Sequence, residues 1–186
     1  PSNEVMSIDP QQSTLDVQQV QGVFSLYSTG QFNEALNAAT TLLRAHPEEG
    51  ILFTLVGLIH AAMLQYEPAV ESLRRAIELK PDVPDAHHFL GNTLLQKGDT
   101  TEALDYFKRA IELRPDYLEA HNKLCEALER SNRLEELEQA LARAKEYCPG
   151  AHPALALREA ELLKRKGDFE AARARLEGSA WQAADD

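Results

Sequence analysis

Prolines at 47, 81, 115 and 149 stand 34 residues apart, and this spacing constrains the fold more than any other feature of the chain. The sequence holds nine prolines in 186 residues. Three further marks hit by chance have odds of about one in ten thousand, so the period is real. Setting each of these prolines at position 32 gives repeats 16–49, 50–83, 84–117 and 118–151. The columns then agree in residue type. Position 8 reads Val23, Gly57, Gly91, Cys125, and position 20 reads Ala35, Ala69, Ala103, Leu137. Position 24 reads Ala39, Leu73, Phe107, Leu141, and position 27 reads Leu42, Ala76, Ala110, Ala144. Small residues at fixed places let two helices approach closely, and larger neighbours fill what is left. A fifth repeat starts at Pro153, with Ala160, Leu163, Gly167, Ala172 and Leu176 in phase, and it lacks the closing proline.

Each repeat is punctuated midway. Gly30, Gly98, Asn132 and Gly167 are residue types that enter the left-handed conformation ending a helix. The pattern predicts helix, tight turn, helix, with the closing proline stopping the second helix. Pro68 falls at the start of a second helix, where its missing N–H costs nothing. Sustained alternation and glycine-rich hairpins, the marks of strands, are absent. The expected fold class is all-α, with helix pairs near 16–29 and 33–46, 50–63 and 67–80, 84–97 and 101–114, 118–131 and 135–148, and 153–166 and 168–177. Residues 1–15, rich in Ser, Gln, Asp and Asn, read as a flexible segment, 16–177 as the repeat array and 178–186 as a tail.

The combination L-G-x-x-L, then A-x-x-x-F, then P on a 34-residue period resembles the tetratricopeptide repeat. Leu90, Gly91, Leu94, Ala103, Phe107, Ala110 and Pro115 carry the best match, and His87 stands where that family usually has tryptophan. The resemblance implies a right-handed α-α superhelical solenoid of about five helix-turn-helix units, whose first helices line a concave groove.

Composition narrows the function. A net charge of −11 argues against nucleic acid and anionic lipid as partners. The longest apolar run, 51–64, is interrupted by Thr54 and His60 and is too short for membrane insertion. Cys125 and Cys148 have no metal or redox spacing, so no disulfide framework is expected. The chain opens on Pro1 with no signal-like segment, which points to the cytoplasm, with a removed leader and a periplasmic location as the alternative. That start also suggests a chain processed or excerpted from something longer.

The sequence holds no phosphate-cradling glycine loop, nucleophile elbow or H-E-x-x-H motif. No enzyme activity, cofactor or metal is therefore expected. His87 and His121 share one position in successive repeats, but a zinc site needs three or four ligands and the next candidate, Cys125, sits at a packing position. His60 reads as a hydrogen-bonded core histidine. The run Lys164–Lys166 is diluted by surrounding acids and reads as a solvated face.

In the family, positions 2, 5, 6, 9, 12 and 13 of the first helix face the groove. Carried onto this sequence, they predict a partner-binding surface of Phe24, Tyr27, Ile51, Leu55 and Leu58, an apolar patch, beside His88, Asn92, Asn122 and Lys123 as polar contacts. The lysine–asparagine clamp by which chaperone-binding members hold a carboxylate would occupy positions 5 and 9. Those positions hold Thr54 and Leu58, His88 and Asn92, and Asn122 and Glu126, so the clamp is missing. The asparagine ladder of sugar-transferase members is missing too, since position 6 reads Gln21, Leu55, Phe89, Lys123, Arg158. The helix over 50–63 is apolar all round, which calls for a cover on every side. Neighbouring side chains, the N-terminal segment, a partner helix, a second copy forming a homodimer or a missing part of a larger polypeptide could provide it. The expected function is a non-catalytic scaffold taking a peptide or helix of a partner protein. The alternative is the accessory domain of a larger sulfotransferase or glycosyltransferase.

Overall fold

The computed structural model describes residues 15–149 and 152–182. The segment 1–14, where a flexible N-terminus was expected, lies outside the described residues, as do 183–186. Ten helices follow one another, and no strand occurs among the described residues: α1 (Val17–Ser28), α2 (Phe32–Ala45), α3 (Gly50–Ala62), α4 (Tyr66–Leu79), α5 (Pro84–Lys97), α6 (Thr100–Leu113), α7 (Leu118–Arg130), α8 (Leu134–Tyr147), α9 (His152–Arg165) and α10 (Phe169–Gln182). The ends agree with the expected spans to a residue or two except at the C-terminus. There α10 runs to Gln182, into the stretch read from sequence as a tail.

Local chemistry sets the ends. Asp16 caps α1, its side chain accepting from the Gln18 amide at 2.9 Å. Pro84 occupies the first turn of α5 and Pro68 the first turn of α4, where neither forfeits a helical hydrogen bond. At the midway turns Gly30, Gly98, Asn132 and Gly167 all have positive φ, as their types suggested. The second repeat departs from this. Its turn residue is Leu64 at φ 60, a branched side chain in the left-handed region.

The chain forms two compact units, one ending at Pro81 and the other beginning at Asp82. In the first, α1 packs on α2, α2 on α3 and α3 on α4, with a further contact of α1 on α3. Its core joins Val23, Ala35, Ala39, Leu55, Val56 and Ile59, flanked by Tyr27, Phe32 and Leu36. In the second, each helix from α5 to α9 packs on its successor. Phe107, Leu90, Leu94, Leu104, Leu128 and Leu141 are buried there. Full burial of each such side chain is worth about 1.5–3 kcal/mol. The small column explains the close spacing: a Cβ on Gly91 would meet Phe107 Cε1 at 2.8 Å, and one on Gly57 would meet Leu73 Cγ at 2.6 Å. Cys125 fills the equivalent place in the fourth repeat and is fully buried.

Candidate functional site

In the first unit, α1 and α3 contain no Asp, Glu, Lys or Arg, whereas α2 and α4 both carry charged residues. An uncharged helix face remains stable in water only if most of it is covered. Here most of it is. Leu55, expected in the exposed patch, is only 6% exposed and belongs to the core. Contact of α1 with α3 closes over position 6, so Leu55 is corrected from a groove residue to a packing residue. Tyr27 and Leu58 are half-buried. The Tyr27 ring lies 6.1 Å from that of Phe24 and 5.9 Å from that of Phe32. What stays in solvent is Phe24 at 54% and Ile51 at 49% exposure, with Val17 at 67%. His60 is not a core histidine. It is half-buried and hydrogen-bonds Gln65 Oε1 at 2.7 Å.

The second unit presents different chemistry. Asp85 receives Arg114 Nη2 at 2.6 Å and the Tyr117 hydroxyl at 2.7 Å, and the Arg114 guanidinium lies 4.3 Å above the Tyr117 ring. Burial would raise the Asp85 pKa, but the hydrogen bonds from Arg114 and Tyr117 outweigh it and hold the carboxyl below its ordinary value. Tyr117 is shifted the other way, by burial and by its bond to Asp85. His88 lies against Tyr117 in a tilted contact at 5.0 Å between ring centroids, with Phe89 and Phe107 also close. It is 8% exposed rather than an open polar contact. Burial lowers its pKa against the pull of Asp85 and Glu119, which favours the neutral ring. His88 Nδ1 and Asn92 Oδ1 are buried with no hydrogen-bond partner. Asn122 and Lys123 are half-buried, and Lys123 is held by Glu126 at 2.8 Å. Arg114 and Tyr117, which organise this cluster, were not singled out from sequence. They lie 29 and 32 residues after Asp85, at the opposite end of the same repeat, and no column of the repeat pairs them.

Burial pushes the Cys125 thiol up to about 12, so it stays protonated and inert. His121 donates from Nε2 to the Pro115 carbonyl at 2.8 Å, while His87 lies against Tyr106 at 6.1 Å. Among the described residues no three His, Cys, Asp or Glu side chains are grouped to hold a metal, and no helix is long and apolar enough to cross a membrane.

Two family models, both described as tetratricopeptide repeat, match the chain. One covers residues 25–84 and again 57–117, and the other covers 94–147. The chain belongs to the tetratricopeptide repeat family. As a tetratricopeptide repeat protein, it is similar in structure to MamA, with a TM-score of 0.79 at 19% identity over 92% of this chain and 97% of that one. It is also similar to YrrB, described as a TPR protein with an unusual peptide-binding site, with a TM-score of 0.72 at 20% identity over 91% and 86%. These likenesses show the all-α superhelical repeat fold class.

Two curated Arabidopsis thaliana proteins resemble it in sequence. Hsp70-Hsp90 organizing protein 2 is 34% identical over 56 residues, 30% of this chain and 10% of that protein. The probable UDP-N-acetylglucosamine–peptide N-acetylglucosaminyltransferase SEC is 29% identical over 82 residues, 44% of this chain and 8% of that protein. The chain thus spans a tenth or less of the length of these relatives.

Proposed function

We propose that this tetratricopeptide repeat array is a non-catalytic interaction scaffold that holds a peptide or helix of a partner protein against its first helices. One observation carries the reading: α1 and α3 present a charge-free surface on which Phe24 and Ile51 stay in solvent. Large apolar side chains grouped on an otherwise polar protein mark interaction sites. Tyr27 and Leu58 supply the half-buried walls beside those two anchors, which suits the apolar stripe of an amphipathic helix. The second unit, taken by itself, offers half-buried Asn92, Asn122 and Lys123 as polar contacts on its own first helices. The peptide-binding site named for YrrB supports the reading by kinship of fold.

A second copy of the chain is another candidate occupant of the apolar face. Light scattering of the wild type and of Phe24→Asp/Ile51→Asp separates the two cases, since only self-association gives a particle that shrinks on mutation. The accessory-domain alternative draws on the likeness to SEC, and a transferase module encoded in the same reading frame would favour it. The main test is selection from a displayed library of random peptides. Enrichment of amphipathic sequences supports the scaffold, and failure to enrich any sequence over several rounds counts against it.

A further inference from the structure

A cavity of about 80 Å³ opens between α6, α7 and α8 of the second unit. Its walls are apolar, from Ile111, Leu124 and Ala140, and the imidazole of His121 lines it as well. Lys108, Glu112 and Arg143 complete the lining. Three charged side chains share this lining with the apolar ones, and their pairing is uneven. Glu112 is taken by Arg109 at 2.9 Å. Lys108 stands 3.5 Å from Glu136, whose closer partner is Arg133 at 2.6 Å from its Nε. Arg143 is exposed and, among the described residues, has no ion pair.

That last fact stands out against the rest of the unit. Every other lysine and arginine from Asp82 onward is ion-paired among the described residues. The chain carries eleven more acids than bases. A guanidinium that lines a cavity with no internal carboxylate on it is open to an anion from solution. Its planar fork fits a carboxylate through two parallel hydrogen bonds. Lys108, only loosely held by Glu136, adds a second positive charge.

We infer that this cavity binds a carboxylate on a short apolar stem, the carboxylate on Arg143 and Lys108 and the stem against Ile111, Leu124 and Ala140. His121 supports the site as an uncharged wall. Its Nε2 hydrogen is committed to Pro115, and burial together with the Arg143 charge disfavours a second proton. A bound anion offsets the Arg143 field, so His121 doubles as a reporter: its protonation midpoint rises when the site fills.

The test is a nuclear magnetic resonance titration of the full chain with sodium butyrate at fixed ionic strength, with butyramide as the uncharged control. Butyrate is expected to give saturable shifts at Leu124, Ala140 and the Arg143 Nε–H, and to raise the His121 midpoint. Butyramide is expected to do neither. Arg143→Gln, an exposed change that leaves the fold intact, is expected to weaken butyrate by at least about tenfold, with Arg143→Lys intermediate. An acetylated glutamyl tripeptide separates the sources. Tighter binding of the peptide assigns the carboxylate to a partner's acidic side chain, and tighter binding of butyrate assigns it to a free acid. Butyrate shifts no larger than those of chloride, an unchanged affinity in Arg143→Gln, or inorganic phosphate binding more tightly than either carboxylate overturns the inference.

Discussion

Gly91 and Phe107 meet so closely that a Cβ on the glycine would stand 2.8 Å from Cε1 of the ring and 3.2 Å from the Ala103 carbonyl oxygen. The ring is fully buried and has nowhere to move. Gly91→Leu is therefore expected to cost about 1–3 kcal/mol through overpacking. Because repeat arrays unfold partly repeat by repeat, the loss should be greatest in amide exchange of α5 and α6. Unchanged protection there would mean that the two helices are not held at this distance.

Leu64 makes the opposite prediction. It sits at φ 60 with 70% of its surface in solvent, so its side chain gains little from packing while its backbone pays for the left-handed conformation. That conformation disfavours non-glycine residues by roughly 1–2 kcal/mol. Leu64→Gly is expected to stabilise the first unit by about 1 kcal/mol in urea unfolding, offset only by the looser unfolded chain. A destabilised variant would show that Leu64 makes a contact worth more than its strain.

Two buried histidines tie the second unit to pH. Burial lowers the pKa of both His88 and His121 from the ordinary value of 6.5. Below that value the unfolded chain takes up protons that the folded one refuses, so their contribution is complete above pH 6.5 and is lost as pH falls toward the folded values. The unfolding midpoint is expected to be lower at pH 5.5 than at pH 7.5, and His121→Gln should reduce the difference. Equal midpoints for the wild type at the two values would contradict the burial of these rings in neutral form.

The link from Asp85 to Arg114 should contribute modestly. Both side chains are about two-fifths exposed, so solvent screens the pair. A double-mutant cycle with Asp85→Asn and Arg114→Met is expected to give a coupling of about 0.5–1 kcal/mol. Coupling near zero would reduce the cluster to a surface accident.

The fold was legible because its determinants repeat. Gly57, Gly91 and Cys125 stand in one column, and Leu73, Phe107 and Leu141 stand in the column that fills against it, so the pairing of helices could be read without coordinates. What escaped depends on contacts without a fixed column. Leu55 shares its position with groove residues, yet the approach of α1 to α3 buries it. His60, read as core, instead bonds Gln65 at the surface. Leu64 carries no turn signature, because the conformation is imposed by the helices on either side rather than by its own preference. The Asp85, Arg114 and Tyr117 cluster joins residues that belong to opposite ends of a repeat, and periodicity alone gives no reason to connect them.

The claim that the uncharged face of α1 and α3 holds a partner is tested most directly by calorimetric titration of a library-selected peptide into the wild type and into Phe24→Asp/Ile51→Asp. Both positions are about half exposed, so the variant should keep its helicity by circular dichroism. The account predicts that affinity falls by at least about tenfold, as expected when buried apolar anchors of an interface are replaced by charge. An affinity equal to that of the wild type, in a variant with intact helicity, would contradict it.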